Sequence, residues 1–248
     1  MMETVMTKDY IREMTYASKI LYMENHNDIN NGQISYRDKD SESIWIRKGF
    51  LGWEETTEQD FIQIDYDGNR LEGEGPIPSE WPLHTEIYRA RNDVNCIIHS
   101  HPPYSMIFSA TSLDLRPITH DATPIMNTAR FTLTTNTVTN PNIAAEVAQA
   151  LGSSNTMLLK NHGIVSVGKS IPETVCWATV LENACRMQLI AESTGVPYSW
   201  TEGHEIKMKS KIIYGSTAIR EYWAYWCRKA DRQFGTNEPF VTGGETNG

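Results

Sequence analysis

The stretch NCIIHSH at residues 95–101 decides how the centre of this chain folds. It is an apolar run that ends in two histidines, His99 and His101, one residue apart. In a β-strand, alternate side chains leave the same face and lie roughly 6.5–7 Å apart along it. Two imidazoles at this separation can converge on one metal ion, each at about 2.0–2.1 Å if the metal is zinc. The stretch therefore predicts a buried strand that carries two metal ligands at its end.

Two further motifs strengthen this interpretation, because a His-x-His pair alone occurs often by chance. Ser79-Glu80-Trp81 lies upstream, and Asn161-His162-Gly163 lies downstream, directly after another apolar, strand-like run. Together with His99 and His101, these motifs offer three neutral nitrogen donors and the carboxylate of Glu80. Such a set is sufficient for a metal site.

Outward from this centre, short strand patterns alternate with helical ones. Apolar periodicity predicts helices over 8–24, 79–91, 104–110, 143–151, 171–194 and 217–232, and strands over 33–37, 43–48, 61–65, 94–99, 156–160 and 163–167. Ser79 is the expected N-cap of the second helix, with Glu80 in its first turn. Strands interleaved with long helices, many of the strands hairpin-like, predict an α/β fold with a mixed or largely antiparallel central sheet.

Length, composition and charge indicate which kinds of protein this chain can be. The 248 residues contain no linker-like stretch or internal repeat, which favours a single domain over 1–248, with a core over 9–229 and a flexible tail over 233–248. A net charge of −9 disfavours nucleic acid as a partner. The N-terminus has no signal-peptide pattern, and no apolar run approaches a membrane span. The four scattered cysteines are expected to be free thiols, so we expect a cytoplasmic protein without a membrane partner.

In this order, the motifs resemble those of the class II aldolase/adducin family. The match begins with Ser79-Glu80-Trp81, continues through residues 84–94 to His99-Ser100-His101, and includes Asn161-His162-Gly163 with the helix over 181–188. It covers roughly residues 9–229, which is nearly the whole chain. The combination is specific to the superfamily and common to several activities, including aldolases, epimerases, dehydratases, decarboxylases and non-catalytic adducins.

The resemblance implies a fold, a cofactor and an assembly. The family fold is a three-layer α/β/α sandwich around a mainly antiparallel sheet, typically in a fourfold tetramer with sites at subunit interfaces. Its sugar-phosphate aldolases, of the fuculose-phosphate type, bind a divalent metal, usually zinc, through histidines that match His99, His101 and His162. A glutamate that matches Glu80 is the fourth ligand and the acid/base. Mn²⁺, Co²⁺ and Fe²⁺ are the alternatives to zinc.

The chain departs from those aldolases where they hold the substrate phosphate. Their Gly-Asn-x-Ser loop corresponds to Gly32-Gln33-Ile34-Ser35, their Thr-Gly turn to Arg47-Lys48-Gly49-Phe50, and their Ser-Ser-Glu to Pro78-Ser79-Glu80. Arg47 or Lys48 could instead pair with a carboxylate, because guanidinium matches carboxylate geometry bidentately. The departures therefore favour a hydroxy or oxo acid over a sugar phosphate. The candidate substrate-binding residues are Gln33, Ser35, Arg47, Lys48, Gly49 and Ser79.

The leading hypothesis is a metal-dependent carbon–carbon lyase that acts on a non-phosphorylated small-molecule acid, with Glu80 as acid/base. Decarboxylation and aldol cleavage remain open within it. The alternatives are a sugar-phosphate aldolase, an Fe(II) oxygenase and an adducin-like binding module. Among the other histidines, we expect His84 to be buried, His120 to lie in a loop, and His26 and His204 to face solvent. The aromatic helix around Trp223 and Trp226 favours a subunit interface, consistent with a homotetramer.

Overall fold

The computed structural model describes residues 9–37 and 42–235, and within them eight strands form one sheet. The strands are β1 (Gln33–Arg37), β2 (Ser43–Arg47), β3 (Phe61–Asp65), β4 (Arg70–Glu72), β5 (Cys96–Ser100), β6 (Ala129–Phe131), β7 (Thr156–Leu159) and β8 (Gly163–Gly168). Their order is β4-β3-β2-β1-β5-β8-β7-β6. Neighbours are antiparallel except β6 and β7, which are parallel. The prediction of a mainly antiparallel sheet is confirmed, with one parallel pair at its edge.

Helices cover both faces of this sheet. Within the same residues they are α1 (Asp9–Met23), α2 (Trp81–Ala90), α3 (Pro103–Ser109), α4 (Pro141–Leu151), α5 (Ile171–Ser193), α6 (His204–Ile213) and α7 (Ser216–Phe234), together with a 3₁₀ helix at His120–Ile125. None of these helices is long and apolar enough to cross a membrane.

Strand β5 separates two apolar cores, because its alternate side chains leave opposite faces. Ile98 belongs to the core that α1, α5 and α7 cover. Its neighbour Ile97 belongs to the core under α2 and α4. This arrangement confirms the three-layer α/β/α sandwich. It also directs His99, two residues after Ile97, toward the α2 side of the sheet.

The sequence patterns did not predict several helices and strands of the structure. Strands β4 and β6 have only three residues each, too few to show alternation. Helix α6 buries none of its residues, so it needs no apolar stripe. The start predicted for the C-terminal tail, residue 233, is too early. Phe234 still belongs to α7, and its ring centroid lies 6.1 Å from that of Tyr22. The rest of that expected tail, 236–248, lies outside the described residues.

All four cysteines are free, as predicted, and the structure buries each of them: Cys96, Cys176, Cys185 and Cys227. Burial raises the pKa of the Cys176 thiol to about 12, with a smaller contribution from the charge of Glu173. These thiols are therefore core groups in the apolar interior.

Candidate metal centre

Four side chains from three separate parts of the chain meet at one end of the sheet. The potential ligand atoms of Glu80, His99, His101 and His162 all lie within 4.8 Å of one another. The Nε2 atoms of His99 and His101 are 3.2 Å apart, and Glu80 Oε2 lies 3.1 Å from His99 Nε2. The other carboxylate oxygen, Oε1, lies 3.5 Å from His162 Nε2. The structure thus brings together the four ligands proposed from the sequence.

The strands explain how the histidines meet. His99 is the penultimate residue of β5, and His101 follows directly after the strand ends. Strand β8 pairs with β5 and begins at Gly163, so His162 lies at the same end of the sheet. Asn161 has a φ of +54°, in the left-handed region that asparagine tolerates better than most residues. This turn places His162 beside the two histidines of β5.

Glu80 lies at the start of α2, and the expectation that Ser79 caps this helix is wrong. Glu80 occupies the N-cap position, and its side chain makes no capping hydrogen bond. Its Oε1 instead accepts a hydrogen bond of 2.8 Å from the backbone amide of Val138. Ser79 is exposed. The carboxylate is therefore held toward the histidines, with Val138 as an anchor that no side-chain motif could reveal.

The hydrogen bonds of the outer ring nitrogens determine what the inner nitrogens offer. His99 Nδ1 lies 2.9 Å from the carbonyl oxygen of Ile164, which can only accept, so Nδ1 carries the proton. His101 Nδ1 lies 3.1 Å from Asp28 Oδ2, and an ionised carboxylate also only accepts. In the neutral rings, both Nε2 atoms therefore present lone pairs, and these face each other. A metal ion between them would satisfy both lone pairs, whereas a protonated His99 donates from Nε2 to Glu80 Oε2 instead.

The pKa values of the four side chains in the cluster shift in different directions. Burial opposes ionisation of Glu80, but the charge of His99 and the hydrogen bonds outweigh it and lower the Glu80 pKa well below its ordinary value. Burial also works against protonation of His99, yet the charge of Glu80 raises the His99 pKa. For His101 and His162, burial and then the charge of His99 lower the pKa to about 4 and about 3. The donor set at neutral pH is thus one carboxylate and at least two neutral imidazoles, which suits a divalent transition metal.

The cluster is buried at its base and open at one side. The side chains of His99 and Glu80 are 0% and 5% exposed, whereas those of His101 and His162 are 10% and 12% exposed. His101 and His162 therefore form the side of the cluster that solvent reaches. This combination is typical of catalytic metal sites, which keep a position open for water or substrate.

Gln33 and His84 flank the cluster on the α2 side of the sheet. Gln33 pairs in register with His99, so the two side chains leave the same face. Its Oε1 is buried and meets no donor among the described residues. His84 is fully buried, as predicted, with Nδ1 2.7 Å from Ser35 Oγ and with Nε2 similarly unpartnered. Because buried polar atoms normally have partners, these two atoms mark places where a ligand or water fits.

The expected anion anchor at Arg47 or Lys48 does not match the geometry. Arg47 is fully buried, donates to the carbonyl oxygens of Asn31, Gly32 and Leu51, and stacks 4.0 Å above the Trp53 ring. Burial lowers its pKa to about 9. The Nζ of Lys48 lies 2.5 Å from Asp60 Oδ1. Lys48 and the two terminal nitrogens of Arg47 are therefore engaged within the fold, whereas the buried Arg47 Nε has no partner among the described residues.

Ser35 and Gly49, two of the other candidate phosphate contacts, are similarly engaged. The Gly49 amide donates to the carbonyl of Pro76 at 2.9 Å. Ser35 Oγ is buried between His84 and the hydroxyl of Tyr88, 3.0 Å away. Among Ser35, Gly49 and Ser79, only Ser79 has a side chain open to solvent.

The expectation for His26 is wrong, whereas His204 is exposed as expected. His26 is fully buried: its Nδ1 lies 2.9 Å from Ser100 Oγ, and its carbonyl accepts a hydrogen bond of 3.1 Å from Trp53 Nε1. Polar neighbours in the sequence concealed this burial, because the contacts come from distant segments. His120 begins the 3₁₀ helix and its side chain is 63% exposed.

Comparisons with known proteins show the family to which this chain is similar and two of its relatives. The model of the family described as "Class II Aldolase and Adducin N-terminal domain" matches residues 12–189. The decarboxylase NovR of Streptomyces niveus is 35% identical over 144 residues, which cover 57% of this chain and 53% of that protein. A "4-hydroxy-3-prenylphenylpyruvate oxygenase/4-hydroxy-3-prenylbenzoate synthase" of Streptomyces roseochromogenus subsp. oscitans is 34% identical over 142 residues, which cover 56% of this chain and 51% of that protein. The chain thus spans about half the length of each relative.

Among solved structures, L-fuculose 1-phosphate aldolase from Glaciozyma antarctica PI12 has a similar fold. It superposes with a TM-score of 0.79 and 22% sequence identity, over 90% of this chain and 88% of that one. At this identity the likeness concerns the fold alone.

Proposed function

Because the chain belongs to the class II aldolase and adducin family, we propose that it is a divalent-metal-dependent lyase that breaks a carbon–carbon bond of a non-phosphorylated hydroxy or oxo acid. The observation that carries the proposal is the pair of Nε2 lone pairs of His99 and His101, which face each other beside an ionised Glu80. Zinc fits three imidazoles and one carboxylate, and Mn²⁺, Co²⁺ or Fe²⁺ are the alternatives.

The bound metal would act as a Lewis acid that stabilises negative charge on substrate oxygen. Glu80 would move the proton. It is ionised at neutral pH, so it can first take a proton from a substrate hydroxyl and then return it to carbon. This order suits aldol cleavage directly. In decarboxylation, Glu80 would have to receive the proton from the substrate or solvent before it could donate. The open side at His101 and His162 gives the substrate access to both groups.

The choice of an acid over a sugar phosphate rests on the engaged polar groups around the site. Ser35 and the Gly49 amide already have partners within the fold, and Lys48 pairs with Asp60. A dianionic phosphate needs several donors, whereas a hydroxy or oxo acid can be held chiefly by the metal. We propose that the unpartnered Oε1 of Gln33 accepts a further hydrogen bond from the substrate. The decarboxylase NovR, a relative by sequence, is consistent with this choice.

The direct test combines metal quantitation with a product screen. Purified protein, reloaded with zinc, manganese, cobalt or iron, is incubated with a panel of hydroxy and oxo acids and with fuculose and rhamnulose phosphates, while carbon dioxide and aldehyde are measured. We expect metal-dependent cleavage of at least one acid and none of the phosphates. Cleavage confined to the phosphates would contradict the substrate class. A metal-loaded protein that is inert on every compound would favour an adducin-like binding module.

A second candidate, a non-haem Fe(II) oxygenase, is favoured by the relative from Streptomyces roseochromogenus subsp. oscitans, whose name includes an oxygenase activity. The same three imidazoles and carboxylate can hold iron with open positions. The two candidates separate in the same screen when it is run with and without dioxygen. A lyase turns over under nitrogen with zinc, whereas an oxygenase consumes dioxygen and works only with iron.

We also propose that the chain assembles into a homotetramer in the cytoplasm. Large apolar side chains on the surface support assembly: Ile29 is 84% exposed, Phe50 80% and Ile212 75%. Light scattering at micromolar concentration tests the assembly. A monomer under these conditions would contradict it and any site shared between subunits.

A further inference from the structure

We infer that Asp28 is a positioning residue for the metal ligand His101, and that the segment of residues 26–32 is built to hold it there. The inference rests on the proposed metal site and adds a residue outside the ligand set. Asp28 Oδ2 lies 3.1 Å from His101 Nδ1, the ring atom opposite the one that faces the cluster. A hydrogen bond at this atom fixes both the tautomer and the rotation of the ring.

His99 and His101 differ in how their outer nitrogens are held. His99 relies on the backbone carbonyl of Ile164, which comes from the neighbouring strand β8. His101 lies beyond the end of β5, where no ladder partner is available, and depends on the Asp28 carboxylate. A carboxylate also increases the basicity of the imidazole it binds, which strengthens metal coordination. His101 is therefore the ligand whose geometry and donor strength a single side chain controls.

The segment that carries Asp28 is fixed from several directions. His26, two residues earlier, bonds to Ser100, which lies between His99 and His101 in the sequence, and its carbonyl accepts from Trp53. On the other side of Asp28, Arg47 donates to the carbonyls of Asn31 and Gly32. Arg47 therefore supports the proposed metal site indirectly, because it holds the backbone of the segment that carries Asp28.

Backbone conformation supports the same conclusion. Ile29, the residue after Asp28, has a φ of +53°, which is unusual for a β-branched side chain. Gly32 has a φ of +87°, and a Cβ there would lie 2.7 Å from the Trp53 ring and 3.1 Å from the His99 carbonyl oxygen. Strained positions persist where the surrounding structure determines them. Here that surrounding structure is the set of contacts to residues 26–32, and the same contacts hold Asp28 beside His101.

The experiment measures zinc affinity by competition with a chromogenic chelator at constant pH. Asp28→Ala is expected to weaken zinc binding about 10–100-fold. Asp28→Asn, whose amide oxygen can still accept from Nδ1, is expected to lie between Asp28→Ala and the wild type. Asp121→Ala is the matched control, because Asp121 lies 3.0 Å from the ring of His120, an exposed histidine outside the cluster. Its zinc affinity is expected to equal that of the wild type.

Thermal unfolding of the metal-free variants provides the readout that separates positioning from folding. We expect the midpoint of metal-free Asp28→Ala to stay close to that of the metal-free wild type. Unchanged zinc affinity in Asp28→Ala would overturn the inference, as would a loss of metal-free stability that accounts for the whole effect. An Asp28→Asn variant as weak as Asp28→Ala would exclude the hydrogen bond as the cause. A wild type that binds no zinc or other divalent metal would instead overturn the proposed function.

Discussion

Two clusters of buried polar groups lie close together at the end of β5, and they differ in how donors match acceptors. In the first, Arg47 donates to three backbone carbonyls and stacks on Trp53, so donors meet acceptors. In the second, the ring nitrogens of His99 and His101 and the carboxylate of Glu80 bring acceptors against acceptors. In the first cluster, the two terminal nitrogens of Arg47 are paired within the fold, and its Nε has no partner among the described residues. In the second, a bound cation would supply the partner that the facing acceptors lack, and on this difference we treat the first cluster as structural and the second as functional.

Sequence patterns predicted the second cluster better than the first. His99 and His101 follow an alternating apolar strand, and Asn161-His162-Gly163 follows another, so short-range periodicity located them. Arg47 and His26 gave no such signal, because Arg47 bonds to backbone carbonyls 4 to 16 residues away and His26 bonds to Ser100, 74 residues away. The positive φ at Ile29, in the 26–32 segment, breaks the usual preference of its residue type. Local sequence patterns therefore predicted the candidate metal ligands. They did not predict the contacts that engage Arg47 and Lys48 within the fold.

The largest effect is expected at the functional cluster. Glu80→Gln keeps an oxygen that can accept from Val138, so the fold and much of the metal binding should survive. Loss of the acid/base group should lower kcat by about 10²–10⁴-fold. Steady-state kinetics on the substrate found in the product screen measures this change. Near-normal kcat would exclude Glu80 from the chemical step.

Glu86→Gln is the control for that variant. Glu86 lies on the same helix α2, is partly exposed and pairs with Arg89 at 3.3 Å. Removing this pair should leave kcat unchanged.

A stability effect without a catalytic role is expected at the structural cluster. Arg47→Met leaves the carbonyls of Asn31, Gly32 and Leu51 without this donor, at about 1–3 kcal/mol each, so the free energy of unfolding should fall by about 3 kcal/mol or more. Chemical denaturation measures it. Lys48→Met is the control, because the Lys48–Asp60 pair is partly exposed and should contribute less than about 1 kcal/mol. Equal losses in the two variants would contradict the distinction between the clusters.

A smaller, pH-dependent effect is expected from His26. Burial lowers its pKa from 6.5 to about 3, so the unfolded chain binds a proton that the folded protein does not. The contribution of His26 to stability is therefore present above pH 6.5 and is lost as the pH falls toward 3, at about 1.4 kcal/mol per pH unit. His26→Gln should be less stable than the wild type at pH 7 and should lose less stability between pH 6.5 and 5. His204→Gln, at an exposed position, should follow the wild-type profile. Parallel profiles for His26→Gln and the wild type would show that His26 is not buried in its neutral form.

The central claim is that Glu80, His99, His101 and His162 bind a metal ion, and metal content after reloading tests it most directly. Wild-type protein is stripped with a chelator, reloaded with zinc and desalted, and the metal is quantified by mass spectrometry alongside His99→Ala and His162→Ala, with circular dichroism to confirm folding. We expect about one ion per wild-type chain and almost none in either folded variant. Full metal content in both variants, or none in the reloaded wild type, would contradict the assignment.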